Sequence, residues 1–465
     1  MSGQGVTVNQ QEAAPPWRAS ASLEARAEWF WHAVTIVSLL VGYAGYYVCR
    51  SNLSVAASLI ASDGSLAGMS NATLGLIASA GVLAYALGKP LTGVAGDVFG
   101  GRRMFLLGMW GTVAATVAFG VGAGTWTLGA AWVVNRFVQS TGWGALTKLV
   151  AQWFAPHRHG RIIAVLSLSY LFGDAAARFA LGSMLDAGSG WRAVFFAAAG
   201  ILAIIAIGVG TLLRERPRDR GLPEPATSAF TVYGSEGEPE SASALALIAP
   251  LAASPTFWLV CVLSCGLTLV REAFNIWIPT YLTATYGMSA GGAARWSALF
   301  PLMGGVSVLI VGATTDRFGP GRRMIVVAPL VLGAGVLAFA ASSSLVMHDQ
   351  RLGLVAIGAI AFLLIGPYSL LAGAMALELG GKRGASTAAG LIDTAGYLGA
   401  MLSGVAVGAA ADAYGWSASL QLLGAVTVAS AAVAAALAWT ERRQATRHAG
   451  VLAGATSTEA RHGAR

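Results

Sequence analysis

The chain has 465 residues, of which 56% are hydrophobic and only 11% charged, with a mean hydropathy of +0.66; an average soluble domain is roughly 25% charged. That balance excludes a soluble globular domain and reads as a polytopic membrane protein. The net charge of +8 does not describe a nucleic-acid-binding face, because the basic residues stand in short clusters between apolar segments.

Residues 1–28 are polar and contain Pro15-Pro16, without the charged start, short apolar core and cleavage site of a signal peptide. The first span is therefore expected to stay uncleaved. Apolar runs of about 20 residues, the length that crosses ~30 Å of hydrocarbon, then begin near Trp31, Thr73, Met104, Leu128, Ile162, Ala193, Phe257, Trp296, Met324, Leu354, Thr387 and Ser417.

Loop charges orient these twelve runs. Arg102-Arg103, Arg158 with Arg161, Arg214 to Arg220, Arg317 with Arg322-Arg323, Lys382-Arg383 and Arg442-Arg443 fall on one side, and the opposite loops carry little beyond Asp63, Arg192, Arg295, Arg351 and Asp412. By the excess of positive charge on cytoplasmic loops, both termini and the long central loop are expected in the cytoplasm. That loop is polar and rich in Pro, Gly and Ser, as a linker is. The expected organisation is an N-terminal tail at 1–28, a six-helix bundle at 29–213, a linker at 214–250, a second six-helix bundle at 251–441 and a C-terminal tail at 442–465.

The halves repeat. GVAGDVFGGRRM begins at Gly93 and GATTDRFGPGRRM at Gly312, 219 positions later. Arg50, inside the apolar run GYAGYYVCRSNLSVAASL, has its counterpart in Arg271, 221 positions later. A shared offset for a loop and an intramembrane arginine points to two halves in register, with the arginines placed symmetrically.

The loops built on Gly93, Asp97, Arg102 and Arg103, and on Gly312, Asp316, Arg322 and Arg323, together with RFVQSTGWG at Arg136 to Gly144, resemble the major facilitator superfamily. YAGYYVCRSNLSVA, YALGKPLTGVAGD, ERPRDRGLP, REAFNIWIPTYL and ALELGGKRGASTAAGLIDTAGYLGA resemble, more narrowly, its organophosphate:phosphate antiporter family, from about residue 30 to 440. The resemblance implies an all-α membrane protein of twelve transmembrane helices in two pseudosymmetric six-helix bundles around a central cavity. It also implies that Arg50 and Arg271 bind a substrate phosphate, with Tyr43, Tyr47, Tyr85, Lys89, Gln139, Trp143 and Tyr397 lining or adjoining the cavity. The chain departs from the family at Tyr170, Pro301, Asp174 and Asp393, where glycerol-3-phosphate carriers have a histidine, a glutamate and two glycines.

An arginine at mid-bilayer depth costs about 2.5–3.5 kcal/mol, so it needs a compensating partner or a wet cavity. A phosphate oxyanion suits a pair, because each guanidinium offers a planar fork of donors where an ammonium acts as a point charge. The alternative for Arg50 is a buried ion pair with Glu272, Asp174 or Asp393. Lys89 either serves the cavity or extends toward a surface. Asp174 and Arg178 are four apart on one helical face, so they either pair with each other or leave Asp174, with Asp393 and Glu272, to meet a coupling proton or a substrate amine. The two GxxxD loops and Arg136 read as gating and packing elements.

Cys49, Cys261 and Cys265 have neither metal-ligand spacing nor the even count of a disulfide framework. No HExxH, phosphate-cradling GxxxxGK[ST] or CxxC motif is present, so neither an enzyme nor a cofactor is expected. The expected protein is a monomeric, multi-pass carrier in a bacterial-type inner membrane that exchanges organophosphates for inorganic phosphate, its partners being those small molecules and the lipid bilayer. A proton-coupled carrier of another organic anion and a transporter-like sugar-phosphate sensor are the alternatives.

Overall fold

The computed structural model describes residues 16–61, 63–64, 66, 71–226, 230–234, 243–288 and 290–462, and among these every regular element is a helix. Nine helices among the described residues are long and apolar enough to cross a bilayer: Arg26–Ala57, Thr73–Phe99, Gly101–Val121, Pro156–Leu185, Trp191–Leu212, Pro255–Tyr286, Leu299–Phe318, Met324–Ala341 and the continuous run Gln350–Arg443. At 1.5 Å per residue the last, with 94 residues, is several times longer than a hydrocarbon core of ~30 Å. It comprises three spans, separated where Gly381 (φ 54°), Gly384 and Gly415 (φ 83°) leave helical geometry.

One more span escapes the apolar count. Thr125–Gln139 and Thr141–Trp153 are helices of 15 and 13 residues joined by a turn at Ser140, each too short alone. Every residue of Thr141–Trp153 is buried, which puts this segment among the other helices. The twelve runs read from the sequence are thus all present as helices, and they are numbered first to twelfth below.

The helix that carries the first span begins at Pro16, and the helix that carries the twelfth continues to His462, so residues 16–28 and 442–462 of the expected tails are helical. The remainder of those tails, and residues 227–229 and 235–242 of the linker, lie outside the described residues. The linker packs against the loop ends: Val232 N donates to Leu379 O at 2.9 Å, and the Tyr233 hydroxyl to Leu247 O at 2.5 Å.

Each half is a bundle in which the first span packs on the fifth and sixth, and the seventh packs on the eleventh and twelfth. Between halves, the second and fourth spans lie against the eleventh, and the fifth against the eighth and tenth. Exposed Val37, Leu87, Leu107, Ile204, Val262, Leu309, Val336 and Val355 cover the outside, an apolar surface suited to lipid. The turns after the second and eighth spans both need glycine, since Gly100 (φ 94°) and Gly319 (φ 78°) adopt backbone angles that side chains disfavour.

Burial changes along the helices between the halves. In the fifth span Ile162, Ile163, Ala164 and Leu166 are buried, whereas Phe172 and Phe179 are 66% and 80% exposed; in the eleventh, Ala385, Ala388 and Ala389 are buried and Leu398, Met401 and Leu402 exposed. The halves are therefore in contact at their arginine-rich ends and progressively uncovered toward the opposite face.

Candidate functional site

A cavity of about 80 Å³ lies between the halves, walled by Tyr43, Tyr47, Tyr85, Lys89 and Trp143 from the first half and by Arg271, Asp393 and Tyr397 from the second. Arg50 and Gln139 stand behind this wall. Arg50 donates from Nη1 to the Tyr47 hydroxyl at 3.1 Å and from Nε to Gln139 Oε1 at 3.0 Å, and its guanidinium lies over the rings of Tyr47 and Tyr85 at 4.6 and 4.4 Å. The arginines expected as a symmetric pair therefore differ: Arg271 forms part of the wall, and Arg50 reaches it through two tyrosines.

The expected alternative for Arg50, an ion pair with a carboxylate, is not made among the described residues. All three acids have other partners. Asp174 pairs with Arg178 at 2.8 Å and accepts from Ser51 Oγ at 2.5 Å, Asp393 pairs with Lys89 across the two halves at 2.5 Å, and Glu272 pairs with its neighbour Arg271. Of the three, only Asp393 lines the cavity. Arg271 lies over the ring of Tyr368 at 4.5 Å and keeps a buried Nε with no hydrogen-bond partner.

Tyr85 is 2% exposed and carries three cations on its ring: Arg50 at 4.4 Å, Lys89 at 4.8 Å and Arg136 at 4.9 Å. Such contacts are worth up to about 2 kcal/mol each when desolvated, so the ring compensates Arg50 and Arg136, which pair with no carboxylate among the described residues, and shares Lys89 with Asp393. Gln139 Oε1 also accepts from Arg136 Nη1 at 3.4 Å, which spaces the two arginines. Tyr397 meets Tyr85 edge-on at 5.3 Å, and Trp143 Nε1 donates to Ala372 O at 2.8 Å in a π-helical turn of the tenth span; both contacts join the halves beside the cavity.

The two GxxxD loops join the halves, and they do it reciprocally. Asp97, at the end of the second span, accepts from Thr387 N and Thr387 Oγ1 at 2.7 Å each and from Ser386 N at 3.3 Å, at the start of the eleventh. Asp316, at the end of the eighth, accepts from Gly160 N at 2.8 Å and Arg161 N at 2.7 Å, at the start of the fifth. Each carboxylate caps a helix of the other half, where unpaired N–H groups and the helix dipole favour negative charge. Gly93 and Gly312 permit the approach: a Cβ on either would come within 2.8 or 2.7 Å of a backbone oxygen across the interface, that of Ser386 or Gly160.

Lys148 completes the first lock, pairing with Asp97 at 3.3 Å and donating to the carbonyl of Lys382. In the second, Arg323 is fully buried between Asp316 (2.7 Å) and Glu378. The paired arginines of the loops divide unequally. Arg102 binds the carbonyls of Gly210 and Leu213, at the end of the sixth span, at 2.7 Å each, whereas Arg103 and Arg322 are exposed.

The sequence reading passed over several residues. Tyr368 lines the cavity, as does Tyr170, which the sequence marked only as a departure from the family. Glu215 caps the third span through Gly101 N and Arg102 N at 2.8 Å each, and Glu441 caps the ninth through Met324 N at 3.1 Å; their 226-residue offset, close to that of the arginines, was an available signal. Pro301 is exposed near the start of the eighth span. Among the described residues no group of three His, Cys, Asp or Glu side chains is placed to hold a metal ion, and the three cysteines are free.

Twelve spans in two packed halves, a polar cavity at their interface and reciprocal helix caps at one end have the architecture of a secondary transporter. The chain belongs to the Major Facilitator Superfamily, whose family model matches residues 39–404. Its relatives include a probable hexose phosphate transport protein of Chlamydia pneumoniae, 27% identical over 83% of this chain and 87% of the relative. The membrane sensor protein UhpC of Escherichia coli (26% identity, 83% and 88% covered) and a glycerol-3-phosphate transporter of Bacillus subtilis (26%, 83% and 88%) are similar too. These relatives are consistent with the organophosphate:phosphate antiporter family. The fold resembles that of the human organic anion transporter MFSD10, with a TM-score of 0.67 at 14% identity, covering 86% of this chain and 99% of that one.

Proposed function

We propose that this chain carries organophosphate anions across a bacterial-type inner membrane by alternating access, in exchange for inorganic phosphate, with Arg50 and Arg271 taking the phosphate group. The observation that carries the reading is the arrangement of charge at the cavity: Arg50 pairs with no carboxylate among the described residues, and Arg271, though beside Glu272, keeps an unused buried donor. Lys89 stands on the same wall. The names of the relatives, two of them carriers of sugar or glycerol phosphates, support the same substrate class.

The arginine-rich face is taken as cytoplasmic, so the closed gate corresponds to the state that accepts substrate from outside. A phosphate held by Arg50 of the first half and Arg271 of the second draws the outer ends together and offsets the loss of the gate contacts. Without an anion the two cations oppose that closure. Obligatory exchange follows, because the ligand shifts the equilibrium only by its differential affinity for the occluded state.

The test is exchange of labelled phosphate in vesicles reconstituted with the protein, competed by a panel of phosphate esters and phosphonates. Charge-assisted hydrogen bonds are worth about 1.5–3 kcal/mol, so Arg50→Lys and Arg271→Lys should each weaken phosphate about 10- to 100-fold. Rapid net uptake into phosphate-free vesicles, driven by a proton gradient, would replace this reading with proton-coupled transport. Saturable binding of sugar phosphate without flux would replace it with a sensor, the role named for UhpC.

A further inference from the structure

A second polar space lies on the arginine-rich face, a groove of about 770 Å³ between the ends of the second, third and sixth spans and Arg383 of the second half. Its carboxylates are committed to the fold. Asp97 caps the eleventh span and Glu215 the third, while Asp219 accepts from Arg216 N at 3.1 Å. Three of its cations are not matched in the same way. Arg103 is exposed and, among the described residues, forms no ion pair, and among the same residues the Arg214 guanidinium bonds to the carbonyls of Thr211 (2.7 Å) and Leu213 (3.0 Å) and to no carboxylate. Arg383 lies over the ring of Tyr233 at 5.4 Å with a buried, unpartnered Nε.

Desolvation first, and then the neighbouring charges of Arg220 and Arg102, lower the pKa of Arg214 against the opposing pull of Asp219. Guanidinium groups from both halves thus share one groove and call for an oxyanion with several acceptor oxygens. The rim indicates its source. Val98 and Phe99, 41% and 60% exposed, line the groove where the apolar second span ends, so a ligand there meets charge on one side and hydrocarbon on the other.

We propose that this groove binds the phosphate headgroup of an anionic phospholipid, with the acyl chains leaving over Val98 and Phe99. Basic pockets between helices at the cytoplasmic surface hold such headgroups, each nearby arginine contributing to the attraction. Because Arg103 and Arg214 belong to the first half and Arg383 to the second, a headgroup between them ties the halves together. Lys148 donates to the backbone carbonyl of Arg383, so the bound lipid reinforces the closed gate. The site is separate from the central cavity, and its test does not depend on the transported substrate.

The experiment is thermal unfolding of the whole protein in neutral detergent, titrated in parallel with short-chain phosphatidylglycerol, phosphatidylcholine and inorganic pyrophosphate. Phosphatidylglycerol should raise the midpoint saturably while phosphatidylcholine does not, and Arg103→Gln and Arg383→Gln should each weaken that response about fivefold. Arg103 is exposed, so its replacement leaves folding intact. An equal rise with phosphatidylcholine, or unchanged phosphatidylglycerol affinity in both variants, overturns the site. A rise with pyrophosphate that matches the lipid's and is weakened in the same two variants overturns the lipid assignment in favour of a free polyphosphate.

Discussion

Replacing Asp97 with asparagine tests the gate most directly, because it keeps the shape of the cap and removes its charge. Asp97 makes two bonds of 2.7 Å to Thr387, a longer one to Ser386 N and an ion pair of 3.3 Å with Lys148. Exchanging a charge-assisted bond for a neutral one loses about 1 kcal/mol, and the missing interaction with the helix dipole another 0.3–1 kcal/mol. Two short bonds and the dipole together come to about 2–3 kcal/mol, or roughly a 30- to 150-fold shift away from the closed gate, at tenfold per 1.4 kcal/mol. Ser386, fully buried at the start of the eleventh span with its side chain against Gly96 and Gly144 of the first half, is the reporter. As a cysteine, in a background with Cys49, Cys261 and Cys265 changed to alanine, it should react with a maleimide in nanodiscs at least about tenfold faster in Asp97→Asn than in its parent. A rate within about twofold of the parent would show that the reciprocal caps do not hold this face shut.

Gly312→Val should open the same face from the other lock, since even a Cβ there meets Gly160 O at 2.7 Å; the Ser386 reporter reads it, and a parental rate would place the contact outside the gate. Tyr85→Leu removes the ring beneath three cations and should weaken phosphate competition about tenfold, at up to about 2 kcal/mol per desolvated cation–π contact. Tyr85→Phe should keep most of that affinity, and equal losses in the two variants would shift the role to the hydroxyl. Asp393→Asn frees Lys89 from its 2.5 Å partner, so inorganic phosphate should bind several-fold more tightly in equilibrium binding. Weaker binding would mean that the pair positions Lys89 rather than competes for it.

The spans were legible because an apolar run of membrane length has few other uses, and the halves because Arg50 and the GxxxD loop recur at nearly one offset. Spacing along one helix also foretold the Asp174–Arg178 pair. Partners made across the interface were not legible. Lys89 and Asp393 are 304 residues apart, and no local pattern marks Asp393 as the residue that meets Lys89 and not Arg50. The caps by Glu215 and Glu441 were hidden for a related reason, since a glutamate among loop charges looks like topology until the helix terminus above it is seen. Nor does the sequence show which arginine of each RR pair turns inward: Arg102 turns to carbonyls of its own half, and Arg323 to carboxylates. The choice depends on whether an acid such as Glu378 is folded beneath the loop.

The reciprocity of the two locks has a consequence for assembly. Asp97 of one half caps the other, and Asp316 returns the favour, which is the contact pattern of an isologous interface about a twofold axis. Two copies of a single six-helix unit would have closed both locks with one sequence, and any change to the aspartate or its glycine would have struck twice. Covalent fusion of the halves lifts that constraint. The lysine that steadies one lock and the buried arginine that steadies the other are what unequal drift looks like once each side can be altered alone, and they make it possible to weaken one lock at a time.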